Sequence, residues 1–492
     1  MDRPNLLFVF TDEQRFDTLG CYGNEKIRTP HTDRLAADSV LFERAYVTQP
    51  VCTPSRSSLM TGLWPHQNGC VENNIPLHDD TDCLPEMLPA GMYDSAYMGK
   101  WHLGDEIFAQ HGFETWVSID DAYRSHYSEG RDKDARSDYH HWLIAHGHQA
   151  DDDGVFDRHM AAKMPERFSK PAFLAEKACE YLQARTGSDK PFCLAINFFE
   201  PHMPFTSCRD EQYDPAEVNL PANFQDVPKS ENPLKTRMFH RAYFDRGFEG
   251  IDLQSEDGWR TLIARYWGQC SLVDTHFGRI LETLAQTGQA DNTIIVYTSD
   301  HGDMMGSHRL LAKCVQFEEA VRVPLIIKIP GQHPRRISAP VSQIDLVPTL
   351  LELMGTDVPQ SLPGRSWKAD LEAGNEPVSD VFIQWNGHNN GFGDTIGQVN
   401  LSPAMLQVAP AEEGEQAVTD PVRTIVSPDG WKLNASPWRD EHELYNLNDD
   451  PHELTNVFDL EAHGDRIAEL ASRIRSWQQR VDDTPILPDP LA

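Results

Sequence analysis

No apolar run in this 492-residue chain approaches the roughly 20 residues that a membrane-spanning helix needs. Near the N-terminus, Asn5-Leu6-Leu7-Phe8-Val9-Phe10 gives way at once to Thr11-Asp12-Glu13. That stretch is too short for a signal peptide and reads as a buried strand. Basic charge is scarce as well: 43 Lys and Arg stand against 76 Asp and Glu, a formal net charge of −33. Such a surface repels nucleic acid and gives no electrostatic help in capturing long polyanions. Closely spaced cysteine pairs are missing too. Nine scattered cysteines argue for reduced thiols and a cytoplasmic setting, or a periplasmic or secreted one if a leader has been removed. Internal repeats and low-complexity segments are absent. What remains, 39% hydrophobic and 24% charged residues, is the composition expected of a soluble globular protein. The length suits one large domain plus one smaller one.

Strands and helices alternate through most of the chain. Strands are expected at Leu6–Phe10, Ser95–Gly99, Phe192–Phe199, Thr293–Tyr297 and Val323–Ile329. Helices are expected at Thr32–Phe42, Phe173–Arg185, Gly258–Gly288 and around Ile344–Met354. This alternation predicts a mostly parallel sheet covered on both faces. Residues 105–170, rich in His, Asp, Tyr and Gly, read as a long insertion with little regular structure, of the kind that shapes a substrate mouth. Beyond Pro359 the texture changes to short strands (Val381–Trp385, Val422–Val426, Trp431–Leu433) and a final helix over about 460–481. The expected organisation is a catalytic domain over 1–370 and a subdomain over 371–492.

Chemistry gathers where the apolar strands end, the edge at which open α/β sheets bind ligands. Asp12-Glu13 follows the first strand, Lys100-Trp101-His102 another, Pro201-His202 a third and Asp300-His301 a fourth. The acids with one imidazole suit Ca²⁺ or Mg²⁺, with the histidine tilting slightly toward Mn²⁺. Lys100, His102, His202, Arg56 and Lys313 add positive charge and proton donors. Singly, each has a dull explanation as a solvated turn or a salt-bridged loop; placement together at strand ends is what those explanations do not predict. Between the first two clusters lies Cys52-Thr53-Pro54-Ser55-Arg56, with Thr61-Gly62 closing the segment. Pro54 and Ser55 suit a helix start, which sets Cys52 just ahead of a helix N-terminus that favours an anion.

The string Cys-x-Pro-x-Arg resembles the signature of the type I, formylglycine-dependent sulfatases of the alkaline phosphatase-like superfamily. Asp12-Glu13-Gln14-Arg15, Gly99-Lys100-Trp101-His102-Leu103-Gly104, Pro201-His202-Met203-Pro204 and Ser299-Asp300-His301-Gly302 are similar to further motifs of that family, in its order. So are Lys313 before Arg322-Val323-Pro324 and the ending Leu444-Tyr445-Asn446-Leu447 through Asn456. The resemblance implies a large mixed, mostly parallel sheet between helices, plus a small C-terminal antiparallel sheet with a packed helix. It implies that Asp12, Glu13, Asp300, His301 and residue 52 hold one divalent cation, calcium first, with Mn²⁺ or Mg²⁺ as alternatives. Glu13 stands where the family usually has aspartate. Cys52 would be converted to formylglycine by a formylglycine-generating enzyme. Arg56 would hold its oxygen and His102 its second hydroxyl, while Lys100, His202 and Lys313 grip sulfate.

The implied activity is hydrolysis of an organic sulfate monoester. A plain serine or thiol nucleophile would leave an ester for water to cleave, whereas an aldehyde hydrate has a second hydroxyl through which sulfate can be expelled. An arylsulfatase, or a phosphonate monoester or phosphodiester hydrolase of the same fold, is the alternative, and a non-catalytic binding protein with unmodified Cys52 is the contrasting class. The complete ionisable set speaks against the last. Polar, aromatic stretches at Pro65–Gly69, Glu72–Asn74 and Trp385–His388 suggest a sulfated saccharide, small or oligomeric given the acidic surface. Neither nucleic acid nor membrane is expected as a partner, and self-association is left open.

Overall fold

A computed structural model describes residues 3–387 and 395–491. Its main sheet has eight strands: β1 (Asn5–Thr11), β2 (Val40–Tyr46), β3 (Asp94–Gly99), β4 (Thr115–Val117), β5 (Phe192–Phe198), β6 (Thr293–Ser299), β7 (Arg322–Lys328) and β8 (Arg335–Ser342), in the order β4-β3-β5-β1-β6-β7-β2-β8. Only β7 runs against its neighbours; the other pairings are parallel. A parallel centre must be covered on both faces, and the sequence of β1 shows how. Leu6, Phe8 and Phe10 point into one core with the helices Cys52–Thr61 and Leu346–Leu353. Leu7 and Val9 point into the other, against the helices Lys170–Ala184 and Glu256–Gln286.

Because β1, β3, β5 and β6 run parallel, side by side and in register, their carboxyl ends meet at one edge. Thr11 pairs with Phe198 on one side and Ser299 on the other, and Gly99 pairs with Asn197. The register therefore sets the residues after each strand at one level. Gly99 is needed there: at φ 123° a Cβ would lie 2.0 Å from the carbonyl oxygen of Asn197, so any larger residue would push β3 off β5.

A second sheet, wholly antiparallel, has the order β12-β11-β10-β9, made of β9 (Val381–Gln384), β10 (Arg423–Val426), β11 (Trp431–Ala435) and β12 (Glu443–Asn446). The helix Gly464–Val481 covers it with Ile467, Leu470, Ile474 and Trp477, against Phe382, Ile425, Leu433 and Leu444. The fold is thus the α/β arrangement expected, with a small antiparallel sheet at the C-terminal end. Among the described residues no helix is long and apolar enough to cross a membrane.

Local readings differed in places. The helix expected over Thr32–Phe42 stops at Ala37, and Val40-Leu41-Phe42 opens β2 between β7 and β8. β-branched and aromatic side chains at that point fit a slot between strands, which helical spacing alone cannot reveal. Strand β8, with two arginines and a proline, and the helix Leu234–Phe244 were not anticipated. The 105–170 insertion holds more structure than expected: β4 at the sheet edge and the helices Asp138–Ala145 and Arg158–Ala162. Within it His146 and His148 lie against Phe168, and among the described residues they join no metal-type cluster.

Candidate active site and metal centre

Cys52 is the first residue of the helix Cys52–Thr61, one step further into it than expected, with Val51 extended ahead of it and Gly62 ending it in a left-handed turn. Every residue of this helix is buried. Ser55 Oγ donates to the carbonyl of Asp300, and Thr53 Oγ1 donates to that of His102 at 2.8 Å. The helix is thereby pinned to two strand ends, and Cys52 is held over the edge where they meet.

Around its thiol stand Asp12, Asp300 and His301, all buried, with one ligand atom from each of the four within 4.8 Å of the others. Cys52 Sγ lies 3.2 Å from His301 Nε2 and 3.8 Å from Asp12 Oδ1. His301 Nε2 is 3.6 Å from Asp300 Oδ1 and 3.8 Å from Asp12 Oδ1. His301 Nδ1 is 2.9 Å from the carbonyl of Gly302, so Nδ1–H donates there and the Nε2 lone pair faces the cluster. These separations are about those of neighbouring ligands on one divalent cation with oxygen bonds of about 2.3–2.6 Å. The donor set fits such an ion.

Arg56 sits behind the carboxylates rather than over Cys52. Its Nη2 donates to Asp12 Oδ2 and its Nε to Asp300 Oδ2, both at 2.8 Å, and Nη1 donates to the Lys100 carbonyl and Asn197 Oδ1. Each aspartate thus turns Oδ2 to the guanidinium and leaves Oδ1 toward the cluster. The expected contact from Arg56 to residue 52 is not made; what Arg56 does is fix the two carboxylates at the required angle. Lys100 Nζ adds an ion pair to Asp12. Burial alone would raise the Asp12 carboxyl, but Lys100, with Arg56 and Lys313, holds it well below the usual range.

Glu13 leaves this quartet. Its Oε2 takes Lys313 Nζ at 2.8 Å and lies 3.3 Å from His202 Nε2, while Oε1 is buried without a hydrogen bond. With Asp12 and His202 it forms a second set of donor atoms within 4.8 Å. Burial pushes the Glu13 carboxyl up against the pull of Lys313, and Asp303, which the sequence reading passed over, adds to the rise. Asp303 is itself raised by burial. The five expected ligands therefore divide: four converge, and Glu13 holds the lysine and histidine beside them.

The proton-handling groups are equally defined. His102, at φ 58°, places Nε2 2.9 Å from Asn74 Oδ1 and leaves Nδ1 buried without a hydrogen bond. Nε2–H is then the donor, and Nδ1 is the free base. Burial, with Lys100 and Arg56 nearby, lowers His102 well below an ordinary histidine, and burial with Lys313 does the same to His202. Both are neutral. Lys100 and Lys313 stay charged: burial opposes this, yet Asp12 for Lys100, and Glu13 with Asp12 for Lys313, raise them above an ordinary lysine. Burial pushes the Cys52 thiol up to about 11, even against the two lysines. An unmodified Cys52 is therefore a neutral thiol here and a poor nucleophile.

Two more residues belong to the site. Glu106 accepts the backbone N–H of Trp101 at 2.8 Å and of His102 at 2.7 Å, one on each oxygen. Tyr123, from the insertion, stacks on the His102 ring at 4.1 Å and has the Arg158 guanidinium 5.1 Å from its own ring centroid. Only an acid just past Gly104 hinted at the first; nothing local hinted at the second. Other substrate candidates turned out to pack. Trp385 is fully buried, with Nε1 donating to the Val418 carbonyl and Lys235 Nζ 3.2 Å from its ring centroid. His66 Nε2 meets the carbonyl of Val481 at 2.8 Å. His388 lies outside the described residues.

Comparison with known proteins agrees with this geometry. The Sulfatase family profile matches residues 4–356. The uncharacterized sulfatase YidJ of Escherichia coli strain K12 is 29% identical over 98% of this chain and 88% of its own length. An N-acetylglucosamine-6-O-sulfatase of Bacteroides thetaiotaomicron is 25% identical over 98% and 87%. Among solved structures, a phosphonate monoester hydrolase from Silicibacter pomeroyi superposes with a TM-score of 0.78 at 24% identity, covering 98% of this chain and 96% of that one. The chain belongs to the sulfatase family and is a sulfuric ester hydrolase of the alkaline phosphatase-like fold.

Proposed function

We propose that this enzyme releases sulfate from a sulfated mono- or oligosaccharide, using a formylglycine made from Cys52 and one divalent cation, calcium first, held by Asp12, Asp300, His301 and residue 52. Membership of the family implies a formylglycine and a divalent metal. The observation that carries the residue assignment is the buried quartet at Cys52, flanked by two charged lysines and two neutral histidines. A relative similar over nearly the whole chain and named for a sulfated amino sugar supports the saccharide. A formylglycine-generating enzyme would act on the chain during maturation.

A divalent cation held by Asp12, Asp300, His301 and residue 52 would supply fixed positive charge and Lewis acidity against the anionic sulfate ester. The aldehyde at residue 52 would supply, as its hydrate, one hydroxyl to attack sulfur and a second through which sulfate is expelled. The remaining work falls to the chain's own side chains. Lys100 and Lys313 grip the sulfate oxygens and offset their charge in a site already organised for it. Asp12 and Glu13 keep those lysines aimed and protonated. His202 donates from Nδ1 to the Met203 carbonyl at 2.6 Å, which leaves Nε2 of the neutral ring without a proton, so the charged Lys313 beside it is the group that passes a proton to the leaving alcohol. His102 Nδ1 takes the proton of the second hydroxyl. Arg56 holds Asp12 and Asp300 in place throughout.

Sulfate release from a panel of sulfated mono- and disaccharides, alongside matched aryl sulfate and aryl phosphonate, tests the proposal. Turnover of at least one saccharide at higher kcat/KM than the aryl sulfate is expected. Inactivity on every sugar with turnover of the aryl sulfate would remove the saccharide. A phosphonate preference of several orders of magnitude would replace the sulfate ester as the main substrate.

A further inference from the structure

A second trio of metal-type donors lies beside Trp101, apart from the catalytic quartet. Cys83 immediately precedes the helix Leu84–Met87, Glu86 lies within it, and His111 comes from the loop after the Lys100–Gly104 strand end. One sulfur, one carboxylate oxygen and one imidazole nitrogen from the three lie within 4.8 Å of one another. Cys83 and His111 are buried, while Glu86 reaches solvent.

The decisive detail is His111 Nδ1, a buried nitrogen without a hydrogen-bond partner. Glu86 Oε2 stands 3.6 Å from it. That is beyond hydrogen-bond reach. It is close to the separation of about 3.4 Å between two N or O ligands on one tetrahedral ion with bonds of about 2.0–2.1 Å. The same oxygen accepts the backbone N–H of Cys83 at 2.9 Å, which fixes its direction as a second-shell bond fixes a ligand. The backbone is shaped for the approach. His111 has φ 50°, and at Gly112 a Cβ would lie 2.6 Å from Glu86 Cγ, so only glycine lets this loop press onto Glu86.

We propose that Cys83, Glu86 and His111 form a second metal site, for Zn²⁺ or another divalent transition ion of similar softness. A sulfur–nitrogen–oxygen set suits such an ion and disfavours calcium and magnesium, which take oxygen. Binding would convert the Cys83 thiol to thiolate with release of its proton to solvent, and water reaching the exposed Glu86 would complete the ligand set. The ion would tie the helix Leu84–Met87 to the 110–113 loop. His111 lies 5.8 Å, ring to ring, from Trp101, the residue between Lys100 and His102, so the site braces the catalytic strand end from behind.

Co²⁺ is the probe, because a cobalt–thiolate bond gives a charge-transfer absorption that carboxylate and imidazole sites lack. The full-length Cys52→Ala protein is used, which removes the thiol from the catalytic quartet. One equivalent of Co²⁺ should produce the thiolate band, and Zn²⁺ should displace it. Adding Cys83→Ser should abolish the band, and adding His111→Gln or Glu86→Gln should weaken Co²⁺ binding at least about tenfold. Glu86 is exposed, so its variant reads ligand loss without disturbing the core. Zn²⁺ should raise the Tm of Cys52→Ala and leave that of Cys52→Ala/Cys83→Ser unchanged. No thiolate band in Cys52→Ala, or a band that survives Cys83→Ser, would overturn the site.

Discussion

Glu106→Gln should make this enzyme more stable at alkaline pH and slower as a catalyst. Burial, with Asp120 beside it, raises the Glu106 carboxyl from 4.5 to about 7, against the two backbone N–H groups it accepts. Below pH 4.5 the group is protonated in folded and unfolded chains alike. Between 4.5 and 7 the unfolded chain has released a proton that the folded chain keeps, so stability falls as pH rises, then levels off above 7. The gap amounts to about 3 kcal/mol at about 1.36 kcal/mol per pH unit. Glutamine cannot ionise, so the variant lacks that fall. It should differ little from the native chain at pH 5, where Glu106 is itself protonated, and gain up to about 3 kcal/mol by pH 8. With 492 residues melting as one unit at about 2.1 cal/mol/K each, that is about 3 °C in Tm.

The same change should cost activity. The glutamine NH₂ meets a backbone N–H where a carboxylate oxygen stood, so either Trp101 or His102 loses its acceptor. His102, held at φ 58°, is poised to relax, and a shift of about 1 Å in a catalytic group costs up to about 100-fold. A fall in kcat of about 10- to 100-fold is expected, with KM little changed because Lys100 and Lys313 keep their places. Tm by scanning fluorimetry from pH 5 to 8.5 and sulfate release at each pH measure both effects. Parallel Tm curves for native and variant, or an undiminished kcat, would refute the reasoning.

Cys52→Ala should abolish turnover and leave Tm within a few degrees, since the helix is pinned by Ser55 and Thr53; activity in that variant would exclude the covalent route, and peptide mass spectrometry should find residue 52 as the aldehyde in active enzyme. Exhaustive EDTA treatment should suppress turnover and Ca²⁺ or Mn²⁺ restore it, whereas activity indifferent to metal removal would exclude the quartet as a metal site. Arg56→Ala leaves two buried carboxylates without their guanidinium and should lower stability by about 3–5 kcal/mol besides removing activity; a variant of native Tm would show that the pairs contribute little. Asn74→Ala frees the His102 tautomer and should reduce kcat more than KM, read from Michaelis profiles, with an equal effect on both counting against the assigned tautomer.

The sequence by itself determined the pieces. Apolar runs such as Leu6–Phe10 and Thr293–Tyr297 can only be strands of a covered sheet, and the polar residues after them follow from chain order. The Cys52–Arg56 string and its companion motifs identified the family, because that chemistry needs those residue types at that spacing. Where local preference and burial agree, as in the helix Glu256–Gln286, the reading and the structure coincide.

Tertiary structure alone decided how the pieces meet. Helical spacing could not show that Val40–Phe42 belongs between β7 and β8, because strand insertion depends on partners almost 300 residues away. It could not show that Arg56 turns to Asp12 and Asp300, that Glu13 turns to Lys313, or that Trp385 is buried, since each outcome depends on which groups lose water together. Nor could it show Glu106 under His102 or His111 against Glu86. Such contacts depend on strand register and on glycines that permit close approach. Spacing along a chain fixes which residues are available, and the low dielectric of a packed interior fixes which charges must find one another.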